Sequence, residues 1–197
     1  MDTVVITGIG LVSCLGHDLA SVAASLRDGR SGVVRDPVRE SMGFRSALTG
    51  AIVGFDPGAS LNRKERRGMG ESALYGAVAA LRALEDAGLP RDQLRRPEVG
   101  VIVGNDSASE ATRSAVDETR RAGSTRTLGS SAVVESMNSS PSMNLSVLLG
   151  TKGACWTISG ACASGAHGIG QGGMLIATGQ QDVVVVGGVQ EVNWAGS

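Results

Sequence analysis

A layered α/β fold built on a parallel sheet is what this chain of 197 residues predicts. Three observations lead there. Short runs rich in Val and Ile end on glycine. Those runs are apolar at nearly every position instead of alternating, as strands covered on both faces are. Stretches with helical periodicity separate them, so strands and helices alternate along the chain. Composition fits such a core: 42% of residues are hydrophobic but only 3% are aromatic, and 29 are glycine, so the packing is aliphatic. Low charge and ordinary hydrophobicity exclude intrinsic disorder. Glycine without a three-residue period, together with only 5 prolines, excludes a collagen-like chain.

Residues 3–7, running into Gly8, predict the first strand. A helix follows over 19–26. Residues 28–70, rich in Arg, Gly and Ser, predict an excursion with little regular core. The next helix spans 71–87, with Leu74, Val78, Leu81 and Leu84 at near-helical spacing, Gly88 as its stop and Pro90 just beyond. Residues 99–103 before Gly104 predict a second strand, and 111–122 a helix. A polar loop covers 124–131. Ser140 and Pro141 predict an N-cap and first helical position, opening a helix to about 149. Residues 154–159 form a weaker strand candidate, a helix runs from the region of Cys162 to about 178, and 182–186 before Gly187 and Gly188 predict the last strand. No repeat or low-complexity linker divides residues 1–197.

Net charge is −1, which offers no nucleic-acid surface. No segment reaches the roughly 20 apolar residues of a membrane span, and the N-terminus carries no basic, apolar signal pattern. The three cysteines, Cys14, Cys155 and Cys162, lack metal-type spacing, so no metal is expected. Free thiols in a reducing cytoplasm are the expectation.

Two glycine clusters invite chemistry. The first, Gly8-Ile9-Gly10 after a strand candidate, suggests a dinucleotide turn. The third glycine of that pattern is replaced by Ser13, and no second strand ends in an acidic residue. A tight strand-to-loop turn explains it better. The second runs from Thr157 to Gly170, with small residues on both sides of Cys162 where a strand gives way to a helix. A sharp elbow needs such neighbours, because the backbone bends tightly while one side chain projects. The positive end of a helix macrodipole stabilises negative charge such as a thiolate carries, and free N–H groups there can hold an oxyanion. From the residues alone, a nucleophile set for acyl transfer and a buried cysteine among packed glycines stand level.

The run Ser159 to Gly170 resembles the active-site signature of the elongating β-ketoacyl-[acyl-carrier-protein] synthases of the thiolase superfamily. Residues 5–13 resemble that family's first strand and turn, 26–32 its early loop, and 181–188 with Glu191 the strand after the nucleophile helix. The resemblance implies a thiolase-like fold, with this chain as its N-terminal half and a C-terminal half lying beyond it. It implies that Cys162 carries the acyl chain as a thioester, that its N–H is one oxyanion donor, and that Met137 lines the acyl pocket near a homodimer interface. A methionine packed in a core is as good a reading of Met137. The implied reaction is decarboxylative condensation with malonyl-[acyl-carrier-protein], as in fatty acid biosynthesis. It needs no cofactor beyond the carrier's phosphopantetheine arm. The implied partners are acyl carrier protein and a second copy of the chain.

The family's two catalytic histidines, its lysine and its second oxyanion donor have no counterparts in these residues. His167, five residues after Cys162, falls about 140° round a helix and so off the nucleophile's face. His17 belongs to a loop. Such a half-fold should expose a large apolar face. The basic run Arg63, Lys64, Arg66 and Arg67 is either a solvated face or a docking patch for an acidic carrier. Two other functions compete: a non-catalytic chain-length or dimerisation partner, which Cys162 argues against, and a nucleotide-binding oxidoreductase, which Ser13 argues against.

Overall fold

The computed structural model describes residues 3–194. After α1 (Leu19–Arg27) come β1 (Val34–Arg35), α2 (Pro37–Ser41) and β2 (Leu48–Thr49). Then follow α3 (Glu71–Asp86), β3 (Val99–Gly104), α4 (Ser109–Ala122), α5 (Ala132–Glu135), α6 (Ser140–Leu149), β4 (Cys155–Ile158), α7 (Ser164–Ala177) and β5 (Val183–Gly188). The main sheet is parallel, in the order β4-β3-β5. Val101 lies opposite Cys155 on one side and Val185 on the other. Parallel neighbours need long crossovers, and helices supply them here.

Every residue of β3 is buried, as its unbroken apolar run requires. Val99, Val101 and Val103 face one way and join Ala73, Ala77, Val78, Leu145 and Leu149 of α3 and α6. The other face takes α7. These are the layers the alternation of elements predicts. α3 presents buried Ala73, Ala77, Ala80 and Leu84 on one stripe, and α7 contributes buried Leu175. α4 has no buried residue; Arg113 pairs with Glu110 and Asp117 on its surface, and Gly123 at φ +61° ends it.

Two local expectations are corrected. Residues 3–7 form no strand: among the described residues no ladder includes them, and Val5 and Ile6 are 66% and 78% exposed. β-propensity becomes a strand only where a partner edge receives it. The segment lies instead along α3, where Ile9 N donates to Asp86 Oδ2 (2.9 Å) and Arg82 Nη1 to Leu11 O (3.2 Å). Gly8 and Gly10 make that approach possible, since a Cβ there would fall 2.1 and 1.8 Å from the carbonyl oxygens of Ala83 and Ala79. Those glycines serve helix packing. The second correction is at α6, where Ser139 is the N-cap and Ser140 the first helical residue. Ser140 Oγ accepts from Asn144 Nδ2 within the helix (3.1 Å) rather than capping it.

The excursion over residues 28–70 is as irregular as predicted. Its only strands are the two-residue pair β1 and β2, with Val34 opposite Thr49. Buried Leu61 and Met69, with Phe55 packed beside them, anchor it in the main core.

Candidate active site

β4 ends at Ile158, and the chain turns through a single 3-10 turn, Ala161–Ala163, into α7. Cys162 stands exposed in that turn, at the mouth of a cavity of about 790 Å³. Ala161 has φ +50°, and it is the one non-glycine residue with positive φ among those described. That conformation costs an alanine about 1–2 kcal/mol. Ser164, itself buried, holds the bend: its Oγ accepts from Gly160 N (2.8 Å) and donates to Ala161 O (2.6 Å).

Glycine contacts place the elbow on the carboxyl ends of β3 and β5, where ligand sites of parallel sheets gather. A Cβ on Gly104 would lie 2.2 Å from the Ser164 carbonyl, and one on Gly188 2.7 Å from Gly165 Cα. Backbone therefore touches backbone with nothing between, and the first turn of α7 is pressed onto the sheet. The Cys162 N–H belongs to the 3-10 turn that leads into α7, where helix-start donors lack intrahelical partners.

The far wall of the cavity follows β5. Buried Glu191 accepts at Oε1 from Ser107 Oγ (2.9 Å), Ser109 Oγ (3.2 Å) and Glu110 N (3.0 Å), at the start of α4. A carboxylate at a helix N-terminus is electrostatically well placed. Leu48, Thr49, Gly50 and Arg39 of the excursion form the near wall.

Of the residues predicted for the site, the structure brings Cys162 to the cavity and leaves Met137 outside it. Met137 sits between α5 and α6 and is 41% exposed, so it is no core residue. Its loop is tied to the elbow through fully buried Asn105. Asn105 Nδ2 donates to Asn138 O (2.9 Å), and Ser159 Oγ donates to Asn105 O (2.8 Å). His167 lies against the Gly160 backbone, where an added Cβ would fall 2.7 Å from its Nδ1. His17 meets the Phe55 ring edge-on at 6.1 Å. In the basic run, Glu65 turns away to pair with Arg91 (3.1 Å), and the Asn62 N–H and then Arg91 hold its carboxyl below the usual range. Arg63, Lys64, Arg66 and Arg67 line a separate concavity of about 800 Å³. Sequence reasoning did not find Arg39 and gave Glu191 only as part of a resemblance. Asp36 and Phe44 are close to Arg39 in sequence, but Asn193, to which it also bonds, is 154 positions away.

A parallel sheet covered on both faces, with a cysteine raised on a glycine-packed strand-to-helix elbow, is the architecture of a thiolase-like fold. The chain belongs to the β-ketoacyl synthase family: the model of the Beta-ketoacyl synthase, N-terminal domain, matches residues 1–195. It is 36% identical over 195 residues to 3-oxoacyl-[acyl-carrier-protein] synthase 1 of Haemophilus influenzae, covering 98% of this chain and 48% of that protein. The crystal structure of a β-ketoacyl synthase from Burkholderia phymatum matches with a TM-score of 0.83 at 33% identity, covering 92% of this chain and 45% of that one. The ishigamide ketosynthase/chain length factor matches with a TM-score of 0.86 at 25% identity, covering 98% and 48%. The chain thus spans about half the length of each of these relatives. Among the described residues no helix is long and apolar enough to cross a membrane.

Proposed function

We propose that this chain supplies the nucleophile of a 3-oxoacyl-[acyl-carrier-protein] synthase, with Cys162 as the acyl acceptor. Cys162 Sγ attacks the thioester carbonyl of an acyl chain carried on phosphopantetheine, and the carrier thiol leaves with a proton. Malonyl-[acyl-carrier-protein] then loses CO2, its carbanion attacks the Cys162 thioester, and the cysteine thiolate leaves. The product is 3-oxoacyl-[acyl-carrier-protein]. The Cys162 N–H is one donor to the oxyanion of each tetrahedral intermediate. The elbow carries this reading: an exposed thiol on a strained turn, at the amino end of α7 and open to a cavity.

Further assignments belong to the same proposal. Residues 1–197 are the N-terminal half of the catalytic unit, the histidines and lysine of the family reaction coming from a further segment. The fatty acid pathway is favoured over polyketide synthesis by the 36% identity to the Haemophilus influenzae enzyme, against 25% for the ishigamide ketosynthase/chain length factor. The partners are acyl carrier protein, for which the concave cluster Arg63, Lys64, Arg66 and Arg67 supplies a cationic landing site, and a second copy of the chain. β4, an edge strand with Trp156 43% exposed, supports the homodimer, and Met137 borders the acyl pocket only across such a dimer. The cytoplasm is the proposed compartment. Iodoacetamide labelling mapped by mass spectrometry tests the core of the reading: Cys162 should react well ahead of Cys14 and Cys155. Equal reactivity of the three thiols would remove it.

A further inference from the structure

We infer that Arg39 is a positioning residue that clamps the near wall of the Cys162 cavity in place and so sets what can reach the nucleophile. Arg39 is only 5% exposed, although it lies in the least regular stretch of the chain. A buried guanidinium must be paired on every side to be tolerated. Its Nε lies 3.5 Å from Asp36 Oδ2, and its Nη2 donates to Asn193 O at 3.3 Å. The guanidinium carbon sits 5.4 Å from the Phe44 ring centroid and 5.5 Å from that of Trp194. The two rings meet edge to face at 5.4 Å.

These partners come from opposite ends of the chain. Asp36 and Phe44 belong to the excursion that carries Leu48, Thr49 and Gly50 to the cavity. Asn193 and Trp194 belong to the segment after β5, which Glu191 already pins to the start of α4. Around Arg39 the excursion has little apolar anchorage of its own: Val34, Val38, Met42 and Leu48 are all exposed. One arginine therefore joins the excursion to the segment after β5, both of which line the Cys162 cavity. With Nε and Nη2 committed to Asp36 and Asn193 and two rings packed beside the guanidinium, its role is to hold the shape of the wall. Lysine could not replace it, because a compact ammonium lacks the planar fork that spans two acceptors while packing beside two rings.

The inference rests on the reading of Cys162 as nucleophile, and its test separates the two. In the complete gene product, the rate of Cys162 alkylation is measured with iodoacetamide and with bulky N-(1-pyrenyl)maleimide, for the parent, Arg39→Ala, Arg39→Lys and Phe44→Leu. Released from its clamp, the near wall moves away, and the ratio of bulky to small rates rises about tenfold in both arginine variants. It rises less, in the same direction, for Phe44→Leu, which keeps the charge and loses one ring. Iodoacetamide rates stay within about twofold of the parent, which shows the elbow intact. An unchanged or lowered ratio in the arginine variants, or a parent-like ratio restored by Arg39→Lys, overturns the clamp. If Arg39→Ala does not fold, the lysine and leucine variants decide. Should the parent show no preference for Cys162 over Cys14 and Cys155, the nucleophile reading fails, while the ratio still reports on the wall.

Discussion

The floor and the near wall of the Cys162 cavity are built by opposite means. At the floor, side chains are removed: Gly104, Gly165 and Gly188 let two strand ends and a helix start meet backbone to backbone. At the wall, one long side chain does the joining, with Arg39 drawing Phe44 and Trp194 together. Close backbone contact admits almost no variation in position, because a methyl group already overfills it. A side-chain clamp is longer, softer and replaceable in degree. Cys162 is thus set on the rigid part of the site, and what surrounds it is left adjustable.

The largest test of this contrast lies at the floor. Gly104→Ala should destabilise beyond the roughly 1–3 kcal/mol usual for overpacking, because the new Cβ meets the Ser164 backbone, which cannot swing aside as a side chain would. Urea unfolding measures it, and a cost below about 1 kcal/mol would show that the floor yields as readily as the wall. Ser164→Ala comes next. It leaves the Gly160 N–H without its partner, at about 1–3 kcal/mol, and removes one of the two donors to the Ala161 carbonyl, which keeps the Ser164 N–H, at a smaller cost. Water reaching the turn would reduce that sum, so about 2 kcal/mol is expected, with a slower iodoacetamide reaction at Cys162 as Ala161 relaxes from φ +50°. A stable variant with unchanged thiol reactivity would show that Ser164 does not hold the elbow.

The same contrast decides what the sequence reveals. The elbow is legible because its requirements are local: small residues on both sides of one cysteine, a strand before and a helix after. The buried β3 and the apolar stripe of α3 are legible for the same reason, each lying within one run of chain. Arg39 is not: Asp36 and Phe44 lie near it in sequence, but the acceptor that completes its burial, Asn193 O, is 154 residues distant. The strand expected at 3–7 fails differently. Its propensity is sound, but a strand also needs an edge, and in the structure Gly8 and Gly10 commit the segment to α3 instead. Glycines look alike in a sequence whether they turn a chain, cradle a ligand or admit a helix. Only the neighbour that fills the missing Cβ distinguishes them.

α7 offers the smallest effect and the finest discrimination, because it carries glycines of both kinds on one helix. Gly168 and Gly172 face the sheet: a Cβ on Gly172 would lie 2.3 Å from Val186 Cγ1. Gly170, between them in sequence, points to the opposite side, and nothing lies within 4 Å of its added Cβ. There glycine only weakens the helix, so Gly170→Ala should raise stability by about 0.5–1 kcal/mol. Ile169 and Met174 on the same helix are 50% and 61% exposed, so this face is apolar as well as open. The sign of the change therefore reports on the complete protein. A higher melting temperature means the Gly170 side of α7 stays uncovered. A fall means that another surface packs on it closely enough to need glycine, as the sheet does at Gly172, and the helix would then be gripped from both sides.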